Sequence, residues 1–158
     1  MTRRSGRSEA RAAVRALQPA DRERWNELWC GYLEFYRHEL PADLTELTWR
    51  RLLDPAHPFQ GLVALADERV VGIVHFHVHG STWARVGYCY LEDLFVDPAC
   101  RGLGAGRALI EGVYRTADQQ GIERVYWHTQ NSNDPAQTLY RQVAELTPFV
   151  QYRRRPTR

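Results

Sequence analysis

The sequence predicts an α/β fold: one domain whose mixed central sheet joins an antiparallel meander to one parallel βαβ pair, flanked by about four helices. Three observations predict it. Residues 61–79 hold two apolar runs, GLVALAD and VVGIVHFHVH, split by the turn pair Glu68-Arg69, which reads as a β-hairpin. Residues 88–96 (YCYLEDLFV) and 124–129 (RVYWHT) are strand-like and enclose a helical pattern, so they should lie parallel with a right-handed crossover. Residues 19–36 carry aromatic and aliphatic side chains at three- and four-residue steps, the signature of an amphipathic helix.

The elements follow in order. AAVRAL, residues 12–17, is a short first strand. In the helix after it, Trp25, Leu28, Trp29, Tyr32, Leu33 and Tyr36 mark one face, and Asp21 and Glu23 suit its positive end. Residues 41–54 repeat the pattern through Leu44, Leu47 and Leu52 and stop at Asp54-Pro55. The hairpin strands take 61–67 and 70–79, GSTWARVG is a loop, and strand 88–96 ends at Asp97-Pro98. A helix from Gly104 to about Gln120 buries Ala105, Ala108, Leu109, Gly112, Val113 and Ala117, and Gly121 stops it. After strand 124–129, a short helix spans 133–143, with Asn133 or Asp134 as cap and Pro135 in its first turn. FVQYR, residues 149–153, is a last strand. The expected organisation is a basic N-terminal tail over 1–11, one domain over 12–153 and a basic C-terminal tail over 154–158.

Composition excludes several function classes. With 158 residues the chain can build one full core. A net charge of +2 weighs against a polyanion binder, so nucleic acid is not an expected partner. The arginine clusters TRRSGRSEAR and RRRPTR read as solvated tails, with an electrostatic grip on an acidic partner as the alternative. No apolar run is long enough for a membrane span, and the basic N-terminus lacks the apolar stretch of a signal peptide. Cys30, Cys89 and Cys100 are odd in number, which fits reduced thiols and a cytoplasmic setting. There is no lysine, which excludes a lysine Schiff base and a P-loop lysine.

The stretch RGLGAG, residues 101–106, sits between the strand ending at Val96 and the following helix. A Walker loop would end in Gly-Lys-Ser/Thr, whereas 106–107 is Gly-Arg; a G-x-G-x-x-G fingerprint fails at position 107. Two readings remain. Bare backbone at a helix N-terminus, with Arg101 and Arg107 beside it, makes an anion site. Alternatively, the glycines serve a tight turn and close helix–strand packing.

V-D-P-x-x-R-G-x-G-A-G opening a helix resembles the acyl-CoA pyrophosphate loop of the GCN5-related N-acetyltransferase (GNAT) family. NDPAQTLY (133–140) resembles the asparagine–alanine–leucine–tyrosine stretch of that family's next helix. YLEDLFV resembles the preceding strand as found in diamine acetyltransferases. The wider run of WNELWxxYLEFY, HGSTW, YLEDLFVDP and VYWHTQ is most similar to the bacterial HPA2-like branch. The resemblance covers residues 13–153. It departs near the end, where Pro148-Phe149 stands in place of Gly-Phe and the tail has room for one strand, a sheet edge that a partner subunit would complete.

The resemblance implies an acetyl-CoA-dependent N-acetyltransferase acting on a primary amine such as a polyamine or lysine-like group, by direct attack in a ternary complex. Acetyl-CoA is then held by the segment Arg101, Gly102, Leu103, Gly104, Ala105, Gly106 and Arg107, by Leu94, Phe95 and Val96, and by Asn133, Ala136 and Tyr140. The strands 88–96 and 124–129 splay apart, and amides at Phe95 or Val96 face the thioester oxygen. Tyr140 is the candidate acid; without the family an inward tyrosine there is ordinary packing. Glu92 is the candidate base, with amine binding or a structural role as alternatives. Strand alternation sets Glu92 with Leu94 and opposite Asp93. Glu34, Trp83, Trp127 and His79 are further candidate acceptor contacts. HFHVH puts His75, His77 and His79 on one face about 7 Å apart; ligation needs nitrogens converging to about 2 Å of one ion, so no metal is expected. The resemblance also implies a homodimer. Its rivals are a non-catalytic acyl-CoA sensor or scaffold and a binding module working through the arginine tails.

Overall fold

The computed structural model describes residues 12–156. The expected tail over residues 1–11 lies outside the described residues, as do 157 and 158. By contacts the described chain divides after His128 into two units, residues 12–128 and 129–156.

The first unit is built on a five-stranded sheet in the order β1-β2-β3-β4-β5. Its strands are β1 (Ala13–Ala16), β2 (Phe59–Ala66), β3 (Arg69–His79), β4 (Tyr88–Val96) and β5 (Arg124–Tyr126). The first four run antiparallel, and β5 pairs parallel with β4 through the crossover helix α3 (Ala105–Gln119). The meander and the βαβ pair are those the hydrophobic pattern predicts. β5 is shorter than expected, ending at Tyr126 instead of residue 129, and β2 begins earlier, at Phe59.

Helices α1 (Arg22–Phe35) and α2 (Ala42–Leu53) cover one face. The three- and four-residue spacing of Trp25, Leu28 and Trp29 turns all three inward, where they are buried. Trp25 stacks on Trp29 at 5.8 Å and meets Trp49 of α2 at 4.9 Å. Val63, Val70, Ile73 and Phe95 complete this core layer from the sheet. On the other face α3 buries Leu109, Ile110 and Val113 completely. It approaches so closely that a Cβ on Gly112 would stand 3.0 Å from Val14 and 3.1 Å from Leu62. The end of α3 follows the sequence signal. Gly121 takes φ +69°, its N–H reaches the Asp118 carbonyl, and the Ile122 N–H reaches that of Ala117.

The entry to α1 is fixed by charge. Asp21 is buried and accepts from both terminal nitrogens of Arg15 on β1, at 2.7 and 2.8 Å, and from the Gln18 N–H at 2.8 Å. The Arg15 hydrogen bond holds the Asp21 carboxyl below the usual carboxylate range.

In the second unit α4 (Asp134–Val143) is the helix expected over 133–143, with Pro135 in its first turn and Asn133 as N-cap. Beyond it the expected strand 149–153 is absent: residues 144–156 carry no regular secondary structure. A strand needs a neighbouring ladder for its N–H and C=O groups, and sequence pattern alone supplies none. Leu146, Phe149, Val150 and Tyr152 are exposed there, between 75 and 94%.

Because Asp21 titrates below its unfolded value, its contribution is present above the unfolded pKa and is lost as pH falls through the folded one. Asp21→Asn is therefore expected to lower stability by about 1.5–3 kcal/mol at neutral pH. In urea titrations the gap to wild type should begin closing below about pH 4.

Candidate active site

The site begins with an irregularity in β4. Along β3 the register runs His77↔Tyr90 and Phe76↔Leu91, then His75↔Asp93 and Ile73↔Phe95. Glu92 is the extra residue of a β-bulge. The insertion breaks the strict alternation that would have set Glu92 opposite Asp93. Asp93 instead shares the α1 face with His75, and Glu92 reaches the same face, its carboxylate 3.5 Å from His77 Nε2. The expected pairing of Glu92 with Leu94 is thereby corrected: Leu94 sits opposite Val74, on the α3 side.

Two carboxylates now share one face in contrasting settings. The Glu92 side chain is nearly half exposed. Desolvation and the Asp93 charge raise its pKa, with His77 opposing. Asp93 is mostly buried. It accepts from His75 Nδ1 at 2.9 Å, and burial followed by the Asp93 charge raises the pKa of the neighbouring Tyr32 phenol.

Around them lies a band of rings on β3, β4 and β5. His79 Nε2 lies 2.7 Å from the Tyr126 hydroxyl, and the Tyr90 hydroxyl lies 3.0 Å from His128 Nδ1. Tyr90 is pushed up to about 12 by burial, then by Glu92. The His75-His77-His79 stripe does not converge. His75 bonds Trp25 and Asp93, His79 bonds the Gly80 carbonyl and Tyr126, and the His77 and His79 rings are 6.1 Å apart. Among the described residues no group of three or more His, Cys, Asp or Glu side chains could hold a metal ion.

The β4–β5 ladder has only three pairs, ending at Tyr90↔Tyr126. From Leu91 to Val96, β4 pairs only with β3. Phe95 closes this stretch, its ring 2.9 Å from where a Cβ on Gly31 would stand, which is why α1 carries glycine there. A groove of about 420 Å³ opens beside it, walled by Arg24, Gly31, Glu34, Phe35, Phe95 and Arg101.

The chain then turns through Pro98–Cys100, capped by Asp97, which accepts from the Ala99 N–H and from Arg24 of α1. Gly102 and Gly104 take φ +80° and +78°, conformations that L side chains rarely adopt. A Cβ at either would meet nothing within 4 Å, so the backbone lies open. Ala108 N–H makes the first helical bond, to Gly104, and helix geometry leaves the amides ahead of it without helical acceptors. Arg101 stacks over Phe95 at 5.8 Å. Leu103 is exposed, Ala105 is buried, and Gly106 and Arg107 are half-buried. An open run of left-handed glycines at a helix mouth, flanked by arginine, fits a diphosphate.

The remaining candidates fall in different places. Trp127 packs toward Tyr114 of α3, on the face away from Glu92, whereas Tyr126 and His79 lie on the Glu92 face. Glu34 lines the groove, and Trp83 stands 81% exposed in its loop. In the second unit, Asn133 donates to the Thr129 hydroxyl, and Ala136 and Tyr140 are half-buried on α4. The bulge and the Trp25–His75–Asp93 set were not read from the sequence. YLED has no bulge signal, and buried hydrogen bonds between distant segments leave no local pattern.

Residues 22–144 match the Acetyltransferase (GNAT) family, so the chain belongs to that family. It is an acetyl-CoA-dependent N-acetyltransferase. It is 38% identical over 146 residues to D-amino-acid N-acetyltransferase HPA3 of Saccharomyces cerevisiae, covering 91% of each chain. It is 35% identical over 81 residues to the thialysine N-epsilon-acetyltransferase of Caenorhabditis elegans, over 51% of this chain and 49% of that one. Its fold is that of AAC(6')-Iy, solved with the bisubstrate analogue CoA-S-monomethyl-acetylneamine. The TM-score is 0.79 at 20% identity, over 94% of this chain and 100% of that one. No helix among the described residues is long and apolar enough to cross a membrane.

The setting of Glu92 has a direct readout. In carbon-detected NMR titration its carboxyl midpoint should lie above the ordinary glutamate value of about 4.3. A midpoint at or below that value would mean that burial and the Asp93 charge do not outweigh His77.

Proposed function

We propose that this enzyme acetylates a cationic primary amine, of the polyamine or lysine-like kind, by direct attack within a ternary complex, and that within its family it sits with the HPA2-like and diamine-acetylating branch. The observation that carries the reading is the bulge. It sets Glu92 and Asp93 together on one face where β4 has left β5, on the strand that leads into the glycine turn. Paired carboxylates attract an ammonium and repel an acceptor whose own carboxylate adjoins its amine. This favours a side-chain amine, such as that in the name of the nematode relative, over the α-amine of an amino acid in the name of the yeast one.

The bound acetyl-CoA supplies the acetyl group as a thioester. Arg101 to Arg107 grip its diphosphate through backbone N–H groups and charge, while the free edge at Leu94, Phe95 and Val96 lies along the rest. Asn133 and Ala136 contribute from α4. An amine of pKa about 10.4 is under ~0.1% free base at pH 7, a handicap of roughly 4–5 kcal/mol. Glu92 offsets it by taking the ammonium proton through a water, and its raised pKa brings it closer to working pH. Tyr140 returns a proton to the departing sulfur. From phenol (~10) to thiolate (~8.5) that transfer is uphill by about 2 kcal/mol, so the local field must narrow the gap. His79 and Glu34 flank the acceptor, Trp83 stands further out, and Trp127 lies on the α3 side of the sheet. Two copies assemble, with FVQYR of each adding a strand to the other, in cytoplasm.

Thiol release from acetyl-CoA across an amine panel tests the reading. Diamines and lysine-like amines should turn over, and amino acids lacking a side-chain amine should not. Glu92→Gln should lower kcat by about 10²–10⁴-fold with the acetyl-CoA KM little changed. Tyr140→Phe should also lower kcat. Gly104→Val should raise that KM while costing about 1–2 kcal/mol of stability. No turnover on any amine, or a Glu92→Gln enzyme at full rate, overturns it. Light scattering tests the assembly: the full chain should be dimeric and a chain ending at residue 146 monomeric.

A further inference from the structure

Trp25 is fully buried in the core, yet its indole N–H points at a histidine: Nε1 lies 2.9 Å from His75 Nε2. An indole nitrogen can only donate, so His75 Nε2 must accept through its lone pair. The one ring proton of His75 is then on Nδ1, which donates to Asp93 Oδ2 at 2.9 Å. The Tyr32 phenol of α1 lies near the same carboxylate. This row of hydrogen bonds crosses α1, β3 and β4 and ends at the residue next to Glu92. Each polar group in it is partnered, although His75 is only 4% exposed.

An all-apolar contact would have packed this position more simply, because buried polar groups are costly unless every partner is in place. The set fixes the orientation of one anion. We propose that Trp25 and His75 are positioning residues for acetyl transfer: Trp25 selects the His75 tautomer, and His75 holds the Asp93 carboxylate in place beside Glu92. The inference rests on Glu92 being the base. A negative charge held there strengthens Glu92 as a proton acceptor, in line with the raised pKa. Other groups also face Glu92: His75 and His77 from β3, Tyr90 from β4, Tyr126 from β5 and Tyr32 from α1. Of these only His75 loses a partner when the Trp25 indole is replaced.

The test compares pH profiles of kcat/KM, with a good amine from the panel, for wild type, Glu92→Gln, Asp93→Asn, Trp25→Phe and the Trp25→Phe/Asp93→Asn double variant. Asp93→Asn should move the acid limb down by about one pH unit. Trp25→Phe removes the N–H and frees His75 to protonate Nε2. It should lower kcat by about tenfold or more, shift the limb the same way by less, and leave the acetyl-CoA KM unchanged. In the double variant the limb should fall no further than in Asp93→Asn alone. Trp25→Phe with reduced thermal stability but an unmoved limb and kcat overturns the proposal. So does an unmoved limb in Asp93→Asn. If Glu92→Gln keeps the limb and the rate, it is the base assignment that fails. Should Trp25→Phe not fold, nitrogen-15 NMR of the wild-type His75 ring decides: protonated Nδ1 and bare Nε2 are required, and the reverse tautomer refutes the proposal.

Discussion

The active face depends on how β4 satisfies its two edges. Toward β3 it is paired along its length, whereas toward β5 it has three partners and then none. A backbone edge of this kind has to bond something, and a buried one left bare would be costly. The short β5, the bulge at Glu92 and the glycine turn after Asp97 are placed in sequence along this one strand. Shortening the ladder opens the edge, the extra residue turns a second carboxylate to the same face, and the left-handed glycines expose amides. No other strand of the sheet combines these features.

The three-layer core makes that strand stiff. Trp25, Trp29 and Trp49 fill one side and Leu109, Ile110 and Val113 the other, so β3 and β4 are clamped through their middle. Gly31 and Gly112 let the covering helices come close, to Phe95 on one side and to Val14 and Leu62 on the other. An off-register side chain in such packing would force its neighbours out of their wells. The bulge therefore sits in a surrounding that over-determines it.

Much of this was legible in the residues. The hairpin, the βαβ pair, the Gly121 stop and α4 follow from period and punctuation, because those depend on neighbours in sequence. RGLGAG was readable as an anion loop or a tight turn; the positive φ angles at Gly102 and Gly104 belong to a turn, and the open space beside them is not close packing at those two glycines. What stayed hidden depends on partners distant in sequence. Strict alternation is the default for YLEDLFV, and only the match to β3 reveals Glu92 as surplus. His75 looked like one of three equivalent histidines until Trp25, fifty residues earlier, took one of its nitrogens. FVQYR has the pattern of a strand, but a strand exists only with a partner.

Arg24 has a consequence for how the protein can change over generations. Its guanidinium bonds the Asp97 carboxylate and, at 2.9 Å, the Val70 carbonyl, so the first half of α1 is fastened to the turn that leads into the glycines. Glu34 and Phe35, near the other end of the helix, are exposed and wall the groove. The helix thus has a fastened end and an exposed end. Replacements at the exposed end alter the wall of the groove without touching the bonds that hold the turn, so the wall can change in small steps while the approach to the glycines keeps its geometry.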